Sequence, residues 1–386
     1  MSSEVSHRTR ACPVCGGASA QPLLTNRMVP VDGLDMSYRI ARCDGCGFHF
    51  ADWLPVNASY GRYYAELSKY DSQPSVSPVD RQRIEAALAV CKAHIDRSAR
   101  IVDLGCGFGA LLAALRDAGW TRVEGLDPAP QSARQAMAQF GLGGIQCGNL
   151  QDAPARMDLQ HADLVCLMAV AEHLPDLKAD LAPIVAAMRP GARLLVETPA
   201  LEGFDPDKGE PFGELSMEHI QFFSLASLRR LLRGLGLRIV DERVVAFAGI
   251  EASGDFVLAE VTHQPESDGA KEPAEPFDAY LAGSERRLRQ ALQRLPDQPF
   301  VLYGAGSHSA RLIPRLGDKA RHIAAVVDGN ANLHGKRFGE WTVQAPDALP
   351  GYAGLPIVIS SFRAEQAIAR SLRERLQAPE LVLLYA

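Results

Sequence analysis

Through the middle of the chain, short apolar runs alternate with longer stretches in which apolar residues recur at helical spacing. The runs are strand-like and the longer stretches helix-like. RIVDLG, starting at Arg100, predicts a strand, and ALLAALRDAG a helix ending on Gly119. RVEGLD is a second strand, APQSARQAMAQF a second helix, GGIQCGNL a short strand and ADLVCLMAV a buried one. LAPIVAAMRPG reads as a helix with a Pro-Gly stop, ARLLVETP as a fifth strand, and SLASLRRLLRGLG as a Leu-rich helix. LRIVDERVVAFA and GDFVLAEVTH predict a closing strand pair. Strands alternating with helices imply a parallel, doubly wound α/β sheet, with ligand sites at the strand C-termini.

The flanks differ. Residues 1–70 carry Cys, Gly and Tyr and few helix signals. HQPESDGAKEPAEP, residues 263–276, is polar and Pro-rich and reads as a linker. The amphipathic FDAYLAGSERRLRQALQRL then leads into a second, smaller alternating block. The expected divisions are therefore 1–70, 71–262, a linker and helix over 263–295, and 296–386.

Composition sets bounds on this picture. With 386 residues and 47% hydrophobic content, the chain can fill two or three cores. Its formal net charge is −6, whereas nucleic-acid binders usually present a basic face. The runs Arg229, Arg230, Arg233 and Arg286, Arg287 fall at helical spacing beside Leu and read as solvated helix faces. Nucleic acid is not an expected partner. No stretch approaches the roughly 20 apolar residues of a membrane span, and the first residues lack the apolar core of a signal peptide. The expectation is a cytoplasmic protein with no membrane partner, whose eight cysteines stay reduced. Paired cysteines then point to metal before disulfide.

CPVC (12–15) and CDGC (43–46) are such pairs. Cys12, Cys15, Cys43 and Cys46 offer four thiolates, the donor set of a tetrahedral structural Zn²⁺ site with no open position. An iron–sulfur centre and idle thiols are the alternatives. Metal binding would supply folding free energy that a first block of this size lacks. Cys91, Cys106, Cys147 and Cys166 sit in apolar contexts and read as small core residues.

The loop DLGCGFG, residues 103–109, joins a strand to a helix. Its G-x-G-x-G spacing departs from the G-x-G-x-x-G of nicotinamide-binding loops. With Asp103 ahead of the first glycine, it resembles motif I of the class I S-adenosylmethionine-dependent methyltransferases. Asp127, at the end of the next strand, matches the family's ribose ligand. Asn149, in CGNLQ, stands where the family often has Asp bonded to adenine. MAVAEHLPDL resembles the stretch after the fourth strand, with Ala169 against the cofactor and Glu172 and His173 following. The resemblance thus implies S-adenosyl-L-methionine held at Asp103, Gly105, Cys106, Gly107, Gly109, Asp127, Pro128, Asn149, Leu150 and Ala169. Cys106 is assigned no chemistry of its own.

Two stretches keep two readings each. YGRYYAELSKYD, with Tyr60, Tyr63, Tyr64 and Tyr70, is either packing between domains or a lid over the substrate pocket. FVLYGAGSHSARLIPRL either holds a phosphate-bearing ligand at its glycine turn or survives as a packing domain. His308 in that turn either contacts a diphosphate or lies on the surface.

Taken in order, the cysteine pairs, motif I, an E-H-x-x-x-F-S segment and the Y-G-A-G turn resemble the zinc-containing nucleotide-sugar C-methyltransferases. That resemblance implies a Rossmann-like methyltransferase core between an N-terminal zinc domain and a smaller Rossmann-like C-terminal domain. It implies a nucleotide-linked keto sugar as substrate. It also implies His219 as general base, assisted by Glu218, in SMEHIQFFSL (216–225). The family has Tyr and His where this chain has Ser216 and Met217. An imidazole suits proton removal near neutral pH. A capping or core His remains the alternative, with Phe222 and Phe223 as packing and Ser224 as the N-cap of the next helix. The competing functions are an O-methyltransferase for another small molecule, and a non-catalytic protein that keeps the cofactor fold.

Overall fold

The structure is a computed structural model, and it describes residues 7–56, 59–60, 76–249, 252–266, 269 and 271–385. Three sheets follow one another along the chain. The first holds β1 (His7–Thr9), β2 (Ala20–Asn26), β3 (Tyr38–Cys43) and β4 (His49–Pro55), antiparallel in the order β1-β4-β3-β2. The alternating pattern of this block is weak, because β4 is covered on both faces. Phe48 and Phe50 enter a core shared with the central domain. Ala51 and Leu54 enter another, shared with the last domain.

The central domain opens with α1 (Pro78–His94), capped by Ser77, whose hydroxyl accepts from the Asp80 amide. Then come β5 (Arg100–Leu104), α2 (Ala110–Asp117), β6 (Arg122–Asp127), α3 (Ser132–Phe140), β7 (Ile145–Cys147), the short α4 (Ala153–Arg156), β8 (Leu164–Met168), α5 (Leu177–Ala187) and β9 (Arg193–Pro199). β10 (Gln221–Phe222) leaves this sheet and pairs with β4 of the first one. α6 (Leu225–Gly234) follows, then β11 (Leu237–Ala246) and β12 (Ser253–Val261). The seven-stranded order is β11-β12-β9-β8-β5-β6-β7, parallel except that β12 runs antiparallel to β9 and β11 to β12. β5 and β8 are buried almost throughout, as strands covered by helices on both faces must be.

After the linker, α7 (Glu275–Leu292) leads into β13 (Phe300–Tyr303), α8 (Ser307–Leu312), β14 (Ile323–Val327), β15 (Arg337–Phe338), β16 (Trp341–Gln344), β17 (Ile357–Ile359), α9 (Glu365–Arg375) and β18 (Leu381–Leu383). Their order is β15-β16-β14-β13-β17-β18, parallel from β16 onward. Among the described residues no helix is long and apolar enough to cross a membrane.

The segment expected to be a plain linker is partly fastened. The Glu272 amide donates to the Cys46 carbonyl at 2.9 Å, and its buried carboxylate accepts from the Ser224 hydroxyl at 2.6 Å. The Arg runs are likewise less free than their spacing implies. Arg229 pairs with Glu242, Arg230 donates to the Cys46 carbonyl, and Arg286 pairs with Asp207.

Candidate active site

The parallel register brings the C-terminal ends of β5, β6, β7 and β8 onto one edge of the central sheet. The glycine loop leaves β5 there. Gly105 has a φ of +81°, and a Cβ on it would stand 2.5 Å from Val170 Cγ2. Only glycine satisfies both the left-handed backbone and the close approach. Gly107 and Gly109 also have positive φ. We predict that Gly105→Ala weakens S-adenosylmethionine binding at least about tenfold, or 1.4 kcal/mol. Calorimetry reads this directly, and unchanged affinity would show that the loop is not the cradle.

Asp127 closes the turn electrostatically. Its Oδ2 accepts from the Gly107 amide at 2.7 Å, and its Oδ1 accepts from the Ala129 amide and the Ser132 hydroxyl. Each oxygen of a carboxylate has two acceptor positions, so Oδ1 is filled and Oδ2 keeps one position for a ribose hydroxyl. Asp103 is buried, and its Oδ1 has no hydrogen-bond partner among the described residues. Burial, reinforced by the charge of Asp127, pushes its carboxyl up to about 7. A cationic ligand group beside it would restore the ionised form. These are the features expected of a cradle for a cofactor with an ammonium group and a ribose. Cys106 is buried under Gly125, whose added Cβ would lie 2.6 Å from its sulfur.

Pro128 and Asn149 are exposed along the same edge. Asn149 opens the 3₁₀ turn Leu150–Asp152, its amide donating to Asp152 at 2.9 Å. Ala169 directly follows β8 with a φ of +54°. A non-glycine residue there stores on the order of 1–3 kcal/mol of strain, which clusters at functional sites. Its amide donates to the Glu197 carbonyl at 3.0 Å, which fixes the bend.

The stretch around His219 is not a helix entrance. The Ser216 hydroxyl accepts from the amides of both Glu218 and His219, at 3.2 and 3.0 Å. Tyr38 of β3 donates to the Ser216 carbonyl at 2.9 Å. The Ile220 amide donates to the Glu172 carbonyl, which ties the turn to the segment after β8. His173 thereby meets His219, ring centroids 5.0 Å apart and edge-on. His173 Nδ1 lies 3.1 Å from the Glu218 carbonyl oxygen, and its Nε2 lies 3.7 Å from Glu172 Oε1. His173 was read from the sequence only as a neighbour of the cofactor stretch. Its role as partner of His219 depends on a contact across 46 residues, which no local pattern reports. Phe222 and Phe223 are buried packing residues, and Ser224 caps α6 by accepting from the Ser227 amide.

The four paired cysteines also converge. Cys12 Sγ lies 3.7 Å from Cys46 Sγ, and Cys15 Sγ lies 3.5 Å from Cys43 Sγ. All four sulfurs fall within 4.8 Å of one another. Tetrahedral zinc with 2.3 Å bonds needs sulfurs about 3.8 Å apart, so the cluster fits that ion with small adjustment. Both knuckles close alike. The Gly16 amide donates to the Cys12 carbonyl and the Gly47 amide to the Cys43 carbonyl, and both glycines have positive φ.

Other expectations need correction. Cys147 is exposed rather than a core residue, because β7 is an edge strand of three residues with only Ile145 buried. Cys91, Cys106 and Cys166 are buried as expected. His308 is not on the surface. It is buried, with Nδ1 2.8 Å from the Ser360 hydroxyl and Nε2 2.5 Å from the Tyr385 hydroxyl. Of the proposed tyrosine lid, Tyr63, Tyr64 and Tyr70 lie outside the described residues. Tyr60 is buried in the core shared by the first and last domains.

Residues 79–242 match the family model of a methyltransferase domain. With their glycine loop, parallel sheet and acidic strand end, these residues form a domain of the class I S-adenosylmethionine-dependent methyltransferase type. Among its relatives is the C-methyltransferase NovU of Streptomyces niveus, 27% identical over 309 residues, which are 74% of this chain and 72% of that one. A ubiquinone biosynthesis O-methyltransferase of Methylobacterium sp. (strain 4-46) is 35% identical over 103 residues. That match covers 25% of this chain and 40% of the relative. A solved structure of the Burkholderia thailandensis 1,6-didemethyltoxoflavin-N1-methyltransferase aligns with a TM-score of 0.44 at 19% identity. It covers 63% of this chain and all of that one.

Proposed function

We propose that the methyl acceptor is a nucleotide-linked keto sugar, methylated at the carbon beside the ketone, with His219 as the general base. The observation that carries this reading is the meeting of His219 with His173, which follows the strained Ala169 by four residues. The similarity to a C-methyltransferase over 74% of the chain supports it, since that match reaches well beyond the methyltransferase domain itself.

When bound, S-adenosylmethionine supplies an electrophilic methyl group. Asp127 holds a ribose hydroxyl, Asp103 faces the ammonium end, and the Asn149 amide oxygen accepts from the adenine amino group. Gly105, Cys106, Gly107, Gly109, Pro128, Leu150 and Ala169 shape the cradle. His219 takes the proton the acceptor must lose, and Glu218, on the same turn, orients the acceptor or the ring. Cys12, Cys15, Cys43 and Cys46 hold a structural Zn²⁺. The reduced thiols this requires fit a cytoplasmic protein.

Keto-sugar nucleotides incubated with the protein in D₂O provide the test. Deuterium uptake beside the ketone is expected, together with methyl transfer from labelled cofactor to carbon. Methylation of a hydroxyl without such exchange would replace this reading with the O-methyltransferase one. The identity to a ubiquinone biosynthesis O-methyltransferase gives that alternative its footing.

A further inference from the structure

Glu172 has no place in the chemistry described so far, yet its situation is unusual. It sits in the 3₁₀ turn Ala171–His173 after β8 and is 1% exposed. Neither carboxylate oxygen has a hydrogen-bond partner among the described residues. An ionised carboxylate left this way in an apolar interior would be strongly disfavoured. The nearby cation, which favours the ionised form, is shared with other carboxylates. Arg83 of α1 spends its Nε on Glu197 of β9 and its NH1 on Asp80, both at 2.8 Å.

The protonation of the imidazole beside Glu172 is defined by its other nitrogen. His173 Nδ1 points at the Glu218 carbonyl oxygen, 3.1 Å away. A carbonyl only accepts, so Nδ1 carries a proton. In the neutral ring Nε2 is then an acceptor, and it faces Glu172 Oε1 at 3.7 Å. A protonated carboxyl on Glu172 would gain an acceptor there after a closing movement of less than 1 Å, of the kind sites make on binding their ligands.

We propose that Glu172 is a neutral carboxylic acid that donates its O–H to Nε2 of His173. In that state it fixes the tautomer and orientation of the ring that His219 meets edge-on. Glu172 is a positioning residue, acting on the proposed base through His173. The groups facing it are Glu197 on β9, Arg83 and Asp80 on α1, Glu218 and His219 on the turn after β9, and His173 on its own turn. Burial first, then the charge of Glu197, pushes the Glu172 carboxyl up to about 8. The raised value sets the sign: the donor is present below about pH 8 and is lost as pH rises through it.

The kinetic arm of the test rests on the methyl-transfer reading, and the spectroscopic arm does not. Glutamine keeps an N–H donor that does not titrate, whereas leucine removes it. Glu172→Gln is expected to retain kcat within about threefold at neutral pH and to lose the alkaline fall near pH 8 shown by the wild type. Glu172→Leu is expected to lower kcat at least about tenfold across the range, with cofactor affinity unchanged. An unaltered alkaline limb in Glu172→Gln, or equal losses in both variants, would overturn the proposal. Infrared difference spectra of wild type minus Glu172→Gln need no substrate. They are expected to show the carbonyl band of a protonated carboxylic acid at pH 7, disappearing as pH passes about 8. A difference spectrum with only an ionised carboxylate at pH 7 would sink the idea. So would uptake of a divalent cation that Glu172→Gln abolishes, because a ligating carboxylate is ionised.

Discussion

Cys43→Ser is expected to purify without zinc and to melt at least about 10 °C below the wild type, where roughly 2–4 °C corresponds to 1 kcal/mol. Cys43 ends β3, is fully buried, and lies in the cluster of four sulfurs. Structural zinc contributes on the order of 10–16 kcal/mol in small metal-dependent domains. Whole domains are stable by only about 5–15 kcal/mol. Losing the ion would therefore remove more than the reserve of a five-stranded sheet with short strands. The damage should spread, because Cys12, Cys43, Cys46, Phe48 and Phe50 belong to the same core as Val165, Val196 and Leu228 of the central domain. Cys147→Ser is the control. That thiol is exposed and outside the cluster, so a change within about 0.5 kcal/mol is expected. Elemental analysis and a melting curve decide the matter. Wild-type protein carrying iron, or a Cys43→Ser variant as stable as the control, would remove zinc from the account.

His219→Ala is expected to lower kcat by a factor of about 10²–10⁴, the usual range for a lost general base, while leaving S-adenosylmethionine affinity alone. The separation follows from position. His219 stands on the turn shaped by the Ser216 hydroxyl. The proposed cofactor cradle lies in the loops after β5 and β6, where Gly107 and Asp127 bond to each other. Deuterium uptake beside the ketone should vanish in the same variant. A variant that still exchanges deuterium at the wild-type rate would transfer the role of base to another side chain, with His173 the first to test.

The order of chemistry was readable where the chemistry needs adjacent letters. A glycine loop must be contiguous to turn, and a cysteine knuckle must bring two thiolates together across two residues. The central strands were readable too, since burial on both faces makes them continuous apolar runs. What escaped depends on distant pairing. β10 is only two residues long, and it exists because Gln221 and Phe222 find Phe50 and His49 of β4, some 170 positions earlier. Ser216 looked like a lost tyrosine, but its hydroxyl is what bends the chain toward Glu218 and His219. Cys147 sits in an apolar run whose short strand lies at a sheet edge, so the pattern could not say which of its faces is wet. Glu272 lay in an apparently idle linker, and its pairing with Ser224 joins residues 48 positions apart.

The place of the first sheet between two cores bears on how the chain is made. β1 to β4 leave the ribosome first, and the four cysteines can bind metal as soon as residue 46 is free. Their sheet cannot finish then. Its fifth strand is β10, and Tyr38 and Ile40 are buried against Phe277 and Phe300, which are synthesised more than 200 residues later. Such non-local closure makes folding slow and leaves apolar surface waiting for cover. With zinc on the proposed site, the two knuckles would be an early anchor, holding a half-built sheet in register until the rest of the chain arrives to complete it.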